Sequence, residues 1–417
     1  MKKVQKSNGF LFIPLFSSLR LIGIDKRAVK EYNSLMNTIY FDHAATTPLD
    51  GKVYEKMIPY FTDNFGNADS PHALGRKTMG AVDLARDKIA RLINAHASEV
   101  YFTSGGTESD NWAILGGAYA KKREGKTHIV VSAIEHHAVL SSAERLEKEG
   151  FSVTYLPVNK RGKVEITALE NAITENTALV CLMAANNETG ALQPIKEAET
   201  LAHKHGALFF TDAVQLAPYA PIDVKALNAD LLSFSAHKFY GPKGIGVLYI
   251  KNGVKIEKLV GGGEQERGLR GGTVNVPAVV GIAEAYALTC AQMQENTEKI
   301  GRLKSLFLEE LSSLDGVEIN GDSENGLPSV LNLRFVGVEN TAFLYAMDLR
   351  GVCLAAGSAC ASASIKPSHV LTAMGLDEKQ AKESVRFSFG KNNTEEEILL
   401  GAKLTRETVT RLRLLSR

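Results

Sequence analysis

The feature that most constrains this chain is one repeated pattern: a short apolar run, a turn of small or polar residues, then a stretch with helical spacing. Val100–Thr103, His128–Ser132, Ser152–Leu156, Ala178–Met183, Leu208–Thr211 and Leu231–Ser235 read as strands, and helical periodicity follows most of them. This alternation predicts an α/β fold with a mainly parallel sheet and right-handed crossovers, because parallel neighbours need a helix-length connection. The turns after the strands' C-terminal ends then share one edge of the sheet, where such sheets bind ligands.

Those turns carry complementary chemistry. Ser104-Gly-Gly-Thr-Glu-Ser109 stands between a strand and the helical run Asn111–Lys122, so glycines, unpaired N–H groups and the Thr107 hydroxyl can cradle an anion. Simple helix capping is the plainer alternative, and no Gly-Lys-Ser/Thr follows to make a Walker A loop. Adjacent His136 and His137 point in opposite directions and are not expected to share a metal; His136 suits stacking on a planar ligand or moving a proton. Asn186 and Asn187 offer donors and acceptors at a strand end, or merely turn the chain. Asp212 ends an apolar strand, where a carboxylate is costly unless it caps a helix or meets a cation, and Gln215 faces the same side.

Lys238 lies in a polar break between Leu231–Ser235 and Ile245–Ile250, punctuated by Gly241-Pro242 and Gly244. Held there beside His237 and partly desolvated, its amine can attack an aldehyde; a solvated loop lysine is the bland reading. Thr107, His136, Asn187, Asp212, Gln215 and Lys238 are expected to converge.

The C-terminal third opens with a helix over Ala278–Leu311. Gly351–Ser364 is rich in small residues and is expected to be a mobile loop with Cys360 at its centre, a position suited to reactivity. Cys181, Cys290 and Cys353 read as buried structural thiols. Arg386, on a strand Ser384–Phe389, is either a bidentate carboxylate clamp or an edge-strand charge. Thr394 and Glu397 form a capping box for the last helix.

Charge and cysteine usage exclude several classes. A formal net charge of +1 gives no electrostatic reason to bind nucleic acid or an anionic membrane. Four cysteines without a CxxC pair argue against structural zinc and for reduced thiols, so a cytoplasmic location is expected. Residues 1–35 carry seven basic side chains against Asp25 and Glu31 and read as an extension outside the fold; an organellar presequence is the other option. Phe10–Phe16 is too short to span a bilayer, and no other segment reads as transmembrane.

In order, Ser-Gly-Gly-Thr, Glu-His, Asn-Asn-Glu-Thr-Gly, Asp-Ala-Val-Gln, Ser-Ala-His-Lys and Gly-Ser-Ala-Cys give the chain, from Ile39 to Ile398, a resemblance to the cysteine desulfurases. These are pyridoxal-phosphate enzymes of the class V aminotransferase group. The resemblance implies PLP fold type I: a mainly parallel central sheet flanked by helices, with a smaller C-terminal α+β domain. Residues 51–277 would form the large cofactor-binding domain, and 36–50 with 278–417 the small one, carrying a catalytic Cys loop at 351–367.

It further implies that Lys238 holds the cofactor as a Schiff base, Asp212 pairs with its ring nitrogen, Gln215 bonds its phenolic oxygen and His136 stacks on the ring. Gly106, Thr107, Ser235 and His237 would hold the phosphate, joined by Thr273 of Arg270-Gly-Gly-Thr273 from the other subunit of a homodimer. L-Cysteine would bind through Arg386 and Asn187, lose its α-proton to Lys238 and give its sulfur to Cys360 as a persulfide, leaving L-alanine. His136 would serve proton transfers at the substrate thiol. The long-loop Gly-Ser-Ala-Cys form resembles the group that passes persulfide to acceptor proteins such as an iron–sulfur scaffold or a tRNA-thiolation enzyme.

Two features depart from the family: Ala356, where serine is frequent, and the extension. Competing readings are a selenocysteine lyase or a transaminase of the same fold, and a non-catalytic scaffold.

Overall fold

The computed structural model describes residues 38–357 and 367–415. The expectations for Cys360 and for the 1–35 extension therefore lie outside the described residues.

The strands are β1 (Ile39–Tyr40), β2 (Val100–Thr103), β3 (His128–Ser132), β4 (Ser152–Leu156), β5 (Thr177–Cys181), β6 (Leu208–Asp212), β7 (Leu231–Ser235), β8 (Gly246–Ile250), β9 (Val317–Asn320), β10 (Val330–Phe335), β11 (Val352–Cys353) and β12 (Ser384–Ser388). Seven of them form the main sheet in the order β2-β8-β7-β6-β5-β3-β4. The β4-β3-β5-β6-β7 run is parallel throughout, whereas β8 is antiparallel to both β7 and β2. The β7–β8 connection holds only a single short helical turn, Ala236–Lys238, too little for a crossover, so the chain reverses instead.

Strands β2, β3, β5, β6, β7 and β8 are buried along their whole length, which is why they read as continuous apolar runs rather than alternating ones. Alternate residues serve opposite faces. Tyr101, Leu231 and Leu248 pack with Trp112, Leu115, Val139 and Leu146 of helices Gly106–Lys122 and His137–Lys148. Phe102, Phe234 and Val247 pack on the other face with Val82, Ala85 and Ile89 of helix Ala73–Leu92.

A smaller unit pairs β12-β10-β9 antiparallel and β1 with β11 in parallel, over a core that includes Phe41, Phe335, Phe343, Phe387 and Phe389. Helix Val276–Leu311 belongs to both cores: Val279, Ile282 and Tyr286 join the large one, Ile300, Leu303 and Phe307 the small one. Serving two cores makes it long and apolar enough to cross a membrane by length and composition, which corrects the expectation that no segment qualifies. Half of its most apolar window is buried inside the protein.

The described part of the segment expected to be a mobile loop is tied into the fold, and its residues 358–364 lie outside the described residues. Val352 and Cys353 pair with Ile39 and Tyr40, and Arg386 donates its backbone N–H to the Ala355 carbonyl at 2.7 Å. Of the thiols expected to be buried, Cys181 is, whereas Cys290 and Cys353 are half-buried.

Candidate active site

All six residues expected to converge line one cavity of about 190 Å³, together with Gly106, Ser235, His237 and Arg386. Parallel pairing is the cause, since it brings the C-terminal ends of β3, β5, β6 and β7 to one edge. A second cavity of about 400 Å³ shares Thr107, Ser235 and His237 and adds Ser104, Gly105 and Lys243. It sits at the start of the 17-residue helix Gly106–Lys122, where N–H groups lack intrahelical partners. Gly105 has φ +150°, a conformation that L side chains rarely adopt, and a Cβ on Gly106 would come within 3.0 Å of the Val214 side chain.

The floor of the first cavity is acidic. Asp212 is buried and accepts from the Val214 N–H at 2.8 Å, but residues 213–220 form turns rather than a helix, so the helix-capping alternative does not hold. Burial pushes its carboxyl up to about 6, against the Val214 hydrogen bond and the Lys238 charge, which pull it down. Lys238 lines the same cavity, and its Nζ donates to the carbonyls of Ala44 at 2.6 Å and Ala45 at 2.8 Å. The lysine is half-buried and not the solvated one of the bland reading.

His136 is the N-cap of helix His137–Lys148; its Nδ1 accepts from the Ala138 N–H at 3.1 Å, which leaves the proton of the neutral ring on Nε2. Burial, then the Lys238 charge, lowers its pKa to about 4. At neutral pH it is an uncharged ring with one N–H to offer. His237 is likewise held neutral, lowered to about 3 chiefly by burial, and shares a 3.2 Å hydrogen bond with Thr46 Oγ1.

The two asparagines divide their labour. Asn186 turns the chain, its Oδ1 accepting from the Glu188 and Thr189 N–H groups, while Asn187 lines the cavity and accepts from Arg386 Nη1 at 3.0 Å through its carbonyl. Arg386 is 1% exposed, which overturns the edge-strand alternative. Its Nη2 donates to Asp42 Oδ1 at 2.7 Å, and its buried Nε has no partner among the described residues. A guanidinium of this kind has N–H groups to spare for a carboxylate.

Three contributors escaped the sequence reading. Asp42–Ala45 supplies a carboxylate to Arg386 and carbonyls to Lys238, and Ala44 also accepts from Gln215 Nε2 at 3.0 Å. Asp110, 1% exposed, accepts from Ser233 Oγ at 2.5 Å and lines the cavity; burial and then Asp212 push its carboxyl well up. Glu135, also 1% exposed, accepts from the Met183 N–H, and burial raises it to about 8. The small-residue run after β1 was the available signal for the first; the acids gave none.

Thr273 is exposed and lines neither cavity. Arg270, three residues before it, grips Glu108 in the first turn of the cradle helix at 2.8 and 3.1 Å. Among the described residues no cluster of histidines, cysteines and acids could hold a metal.

An anion cradle, a carboxylate floor, a lysine and a flat imidazole suit a planar aldehyde with an anionic tail and a basic ring nitrogen. Comparison with known proteins gives the family. The family model for aminotransferase class-V matches residues 39–400. A cysteine desulfurase IscS of Clostridium botulinum is 48% identical over 363 residues, covering 86% of this chain and 91% of that one. A putative cysteine desulfurase IscS 1 of Bacillus subtilis is 48% identical over 90% of this chain and 100% of its own length. Among solved structures, a NifS-like protein superposes with TM-score 0.85 at 37% identity, covering 90% of this chain and all of that one. SspA in complex with cysteine matches with TM-score 0.76 at 37% identity, over 85% of this chain and 99% of its own.

Proposed function

The chain belongs to the class-V aminotransferase family and, within it, to the cysteine desulfurases, and from that premise we propose that it converts L-cysteine to L-alanine with pyridoxal phosphate, leaving sulfur as a persulfide on Cys360. The observation that carries this reading is that Lys238, Asp212 and the buried Arg386 line one cavity, which shares Gly106, Thr107, Ser235 and His237 with the cavity at the cradle.

The cofactor's donors are drawn from both cavities. Gly106, Thr107, Ser235 and His237 would hold the phosphate, Asp212 the ring nitrogen, Gln215 the phenolic oxygen, and Lys238 the aldehyde carbon. Bound there, the cofactor withdraws electrons from the substrate's α- and β-carbons and so makes the carbon–sulfur bond breakable. Arg386 binds the substrate carboxylate with the N–H groups not committed to Asn187 and Asp42. Lys238 takes the α-proton. Cys360 thiolate forms a bond to the substrate sulfur as the β-carbon–sulfur bond breaks, and the electron pair left on carbon is protonated to give alanine.

His136 serves first as a stacking face and an Nε2–H donor. Burial first, and then the Lys238 charge, hold its ring neutral, so proton transfers at the substrate thiol would start from that Nε2–H. Thr273 and Arg270 lie on a segment that would meet a second copy of the chain, making the enzyme a homodimer, and the persulfide would pass to acceptor proteins of iron–sulfur assembly or tRNA thiolation. The location would be cytoplasmic.

The test is to incubate the purified protein with pyridoxal phosphate and L-cysteine and to quantify alanine. A visible absorption band and alanine formation are expected, with alanine lost in Cys360→Ala. A protein that stays colourless favours the scaffold reading, and full turnover by Cys360→Ala favours a transaminase.

A further inference from the structure

Arg386 meets a carboxylate before any substrate arrives. Asp42 Oδ1 lies 2.7 Å from its Nη2, and the guanidinium is almost wholly buried while the Asp42 side chain is 19% exposed. The aspartate is held in place independently of that ion pair. Its residue bridges Ser388 in parallel register, Ser388 N–H donates to the Phe41 carbonyl at 2.7 Å, and Ser388 Oγ accepts from Ala44 N–H at 2.9 Å. Arg386 and Ser388 share one face of β12, so Asp42 is presented to the guanidinium by the backbone.

We propose that Asp42 acts as an internal carboxylate that competes with the substrate carboxylate for Arg386 and thereby sets the affinity of the site for amino acids. The inference rests on the reading of Arg386 as the carboxylate anchor. A guanidinium has five N–H donors, and the bonds to Asn187 and Asp42 leave others, among them the buried Nε–H, for an incoming ligand. Asp42 therefore does not block binding. It places a like charge beside the arriving one on a guanidinium that is almost wholly buried, where such repulsion is felt more strongly than in bulk water.

The consequence is a site that binds its substrate loosely and releases its product through the same contact, since L-alanine carries the same carboxylate as L-cysteine. Binding that is uniform in substrate and transition state lowers KM without raising kcat, so the competition moves KM and leaves kcat alone. Asp42 is thus a positioning residue acting through Arg386, not a catalytic one.

The experiment compares wild type, Asp42→Asn and Asp42→Ser as holoenzymes, with Arg386→Gln as the control for the anchor. Calorimetric titration with L-alanine and with L-alaninamide, which keeps the α-amine and lacks the carboxylate, gives two affinities, and turnover of L-cysteine gives KM and kcat. Asparagine keeps a hydrogen-bond acceptor for Nη2 while removing the charge, and serine offers a second neutral variant should the first fold poorly.

Both are expected to bind L-alanine on the order of tenfold more tightly, towards the low end of site-to-site coupling, with KM lowered to match and kcat within about twofold. L-Alaninamide affinity stays unchanged, and Arg386→Gln loses L-alanine binding. Unchanged or weaker L-alanine binding in the neutral variants, or an equal gain for the amide, overturns the proposal. Failure of wild type to make alanine from L-cysteine would instead overturn the assigned reaction, which the binding comparison does not use.

Discussion

Gly246 on β8 lies so close to Gly105 that a Cβ added to it would stand 2.7 Å from the Gly105 carbonyl carbon and 2.8 Å from its Cα. Both contacts are backbone, so neither can swing aside. Gly105 precedes the helix that opens on the anion cradle, and β8 is hydrogen-bonded to β2 through the Thr103–Gly246 pair. The glycine thus fixes where the cradle sits.

Gly246→Ala is accordingly expected to push the cradle turn outward and weaken cofactor binding about tenfold or more, since overpacking costs roughly 1–3 kcal/mol. Gly150→Ala, outside both cavities, is the control. Its φ of +89° makes any side chain strained, but nothing lies within 4 Å of the added carbon. It should lower stability by about 1–2 kcal/mol and leave cofactor affinity alone. Absorbance titration of the apoprotein with pyridoxal phosphate distinguishes the two.

Glu135 makes the fold's stability pH-dependent. Its folded-state pKa of about 8 lies above the ordinary 4.5, so below pH 4.5 both states hold the proton and the group has no effect. Between those values the unfolded chain releases the proton and the folded one keeps it, so stability falls as pH rises. Glu135→Gln, which keeps an acceptor for the Met183 N–H, should match wild type near pH 4 and exceed it by a few kcal/mol, on the order of 3, by pH 7. Denaturant unfolding of both apoproteins at the two pH values checks this; an equal gap at both would remove titration as the cause.

Asp212 and Lys238 should separate by kind of defect. Asp212→Asn keeps an acceptor for the Val214 N–H and loses the charge that would face the cofactor's ring nitrogen, so alanine formation should fall on the order of 10²-fold while the fold survives. Lys238→Ala would remove the proposed proton-transfer base and covalent tether, and should cost at least about 10³-fold. Steady-state rates with melting curves as a folding control decide both.

Much of this site was legible because parallel strands oblige their C-terminal ends to meet, so Thr107, His136, Asn187, Asp212, Gln215 and Lys238 needed only the strand order to be brought together. What escaped depends on contacts distant in sequence. Asp42 reaches Arg386 across 344 residues, and a turn-prone Asp-His-Ala-Ala reads the same whether or not it enters an active site. Asp110 and Glu135 look like ordinary charged residues in a helix and a turn; only burial, beside Ser233 of β7 for the first and Met183 just beyond β5 for the second, makes them proton-holding acids. Arg386 was ambiguous for the converse reason, because β12 ends its sheet yet is covered by Asp42 and Ala355.

The central claim is that sulfur leaves the substrate for Cys360. Peptide mass spectrometry without reducing agent, after a single-turnover incubation of the holoenzyme with L-cysteine, addresses it directly. One added sulfur atom on the Cys360 peptide, matched by one alanine per active site and absent in Cys360→Ser, is the expected result. Alanine formed without added sulfur on Cys360, or with the sulfur mapped to Cys353 or Cys290 instead, would contradict it.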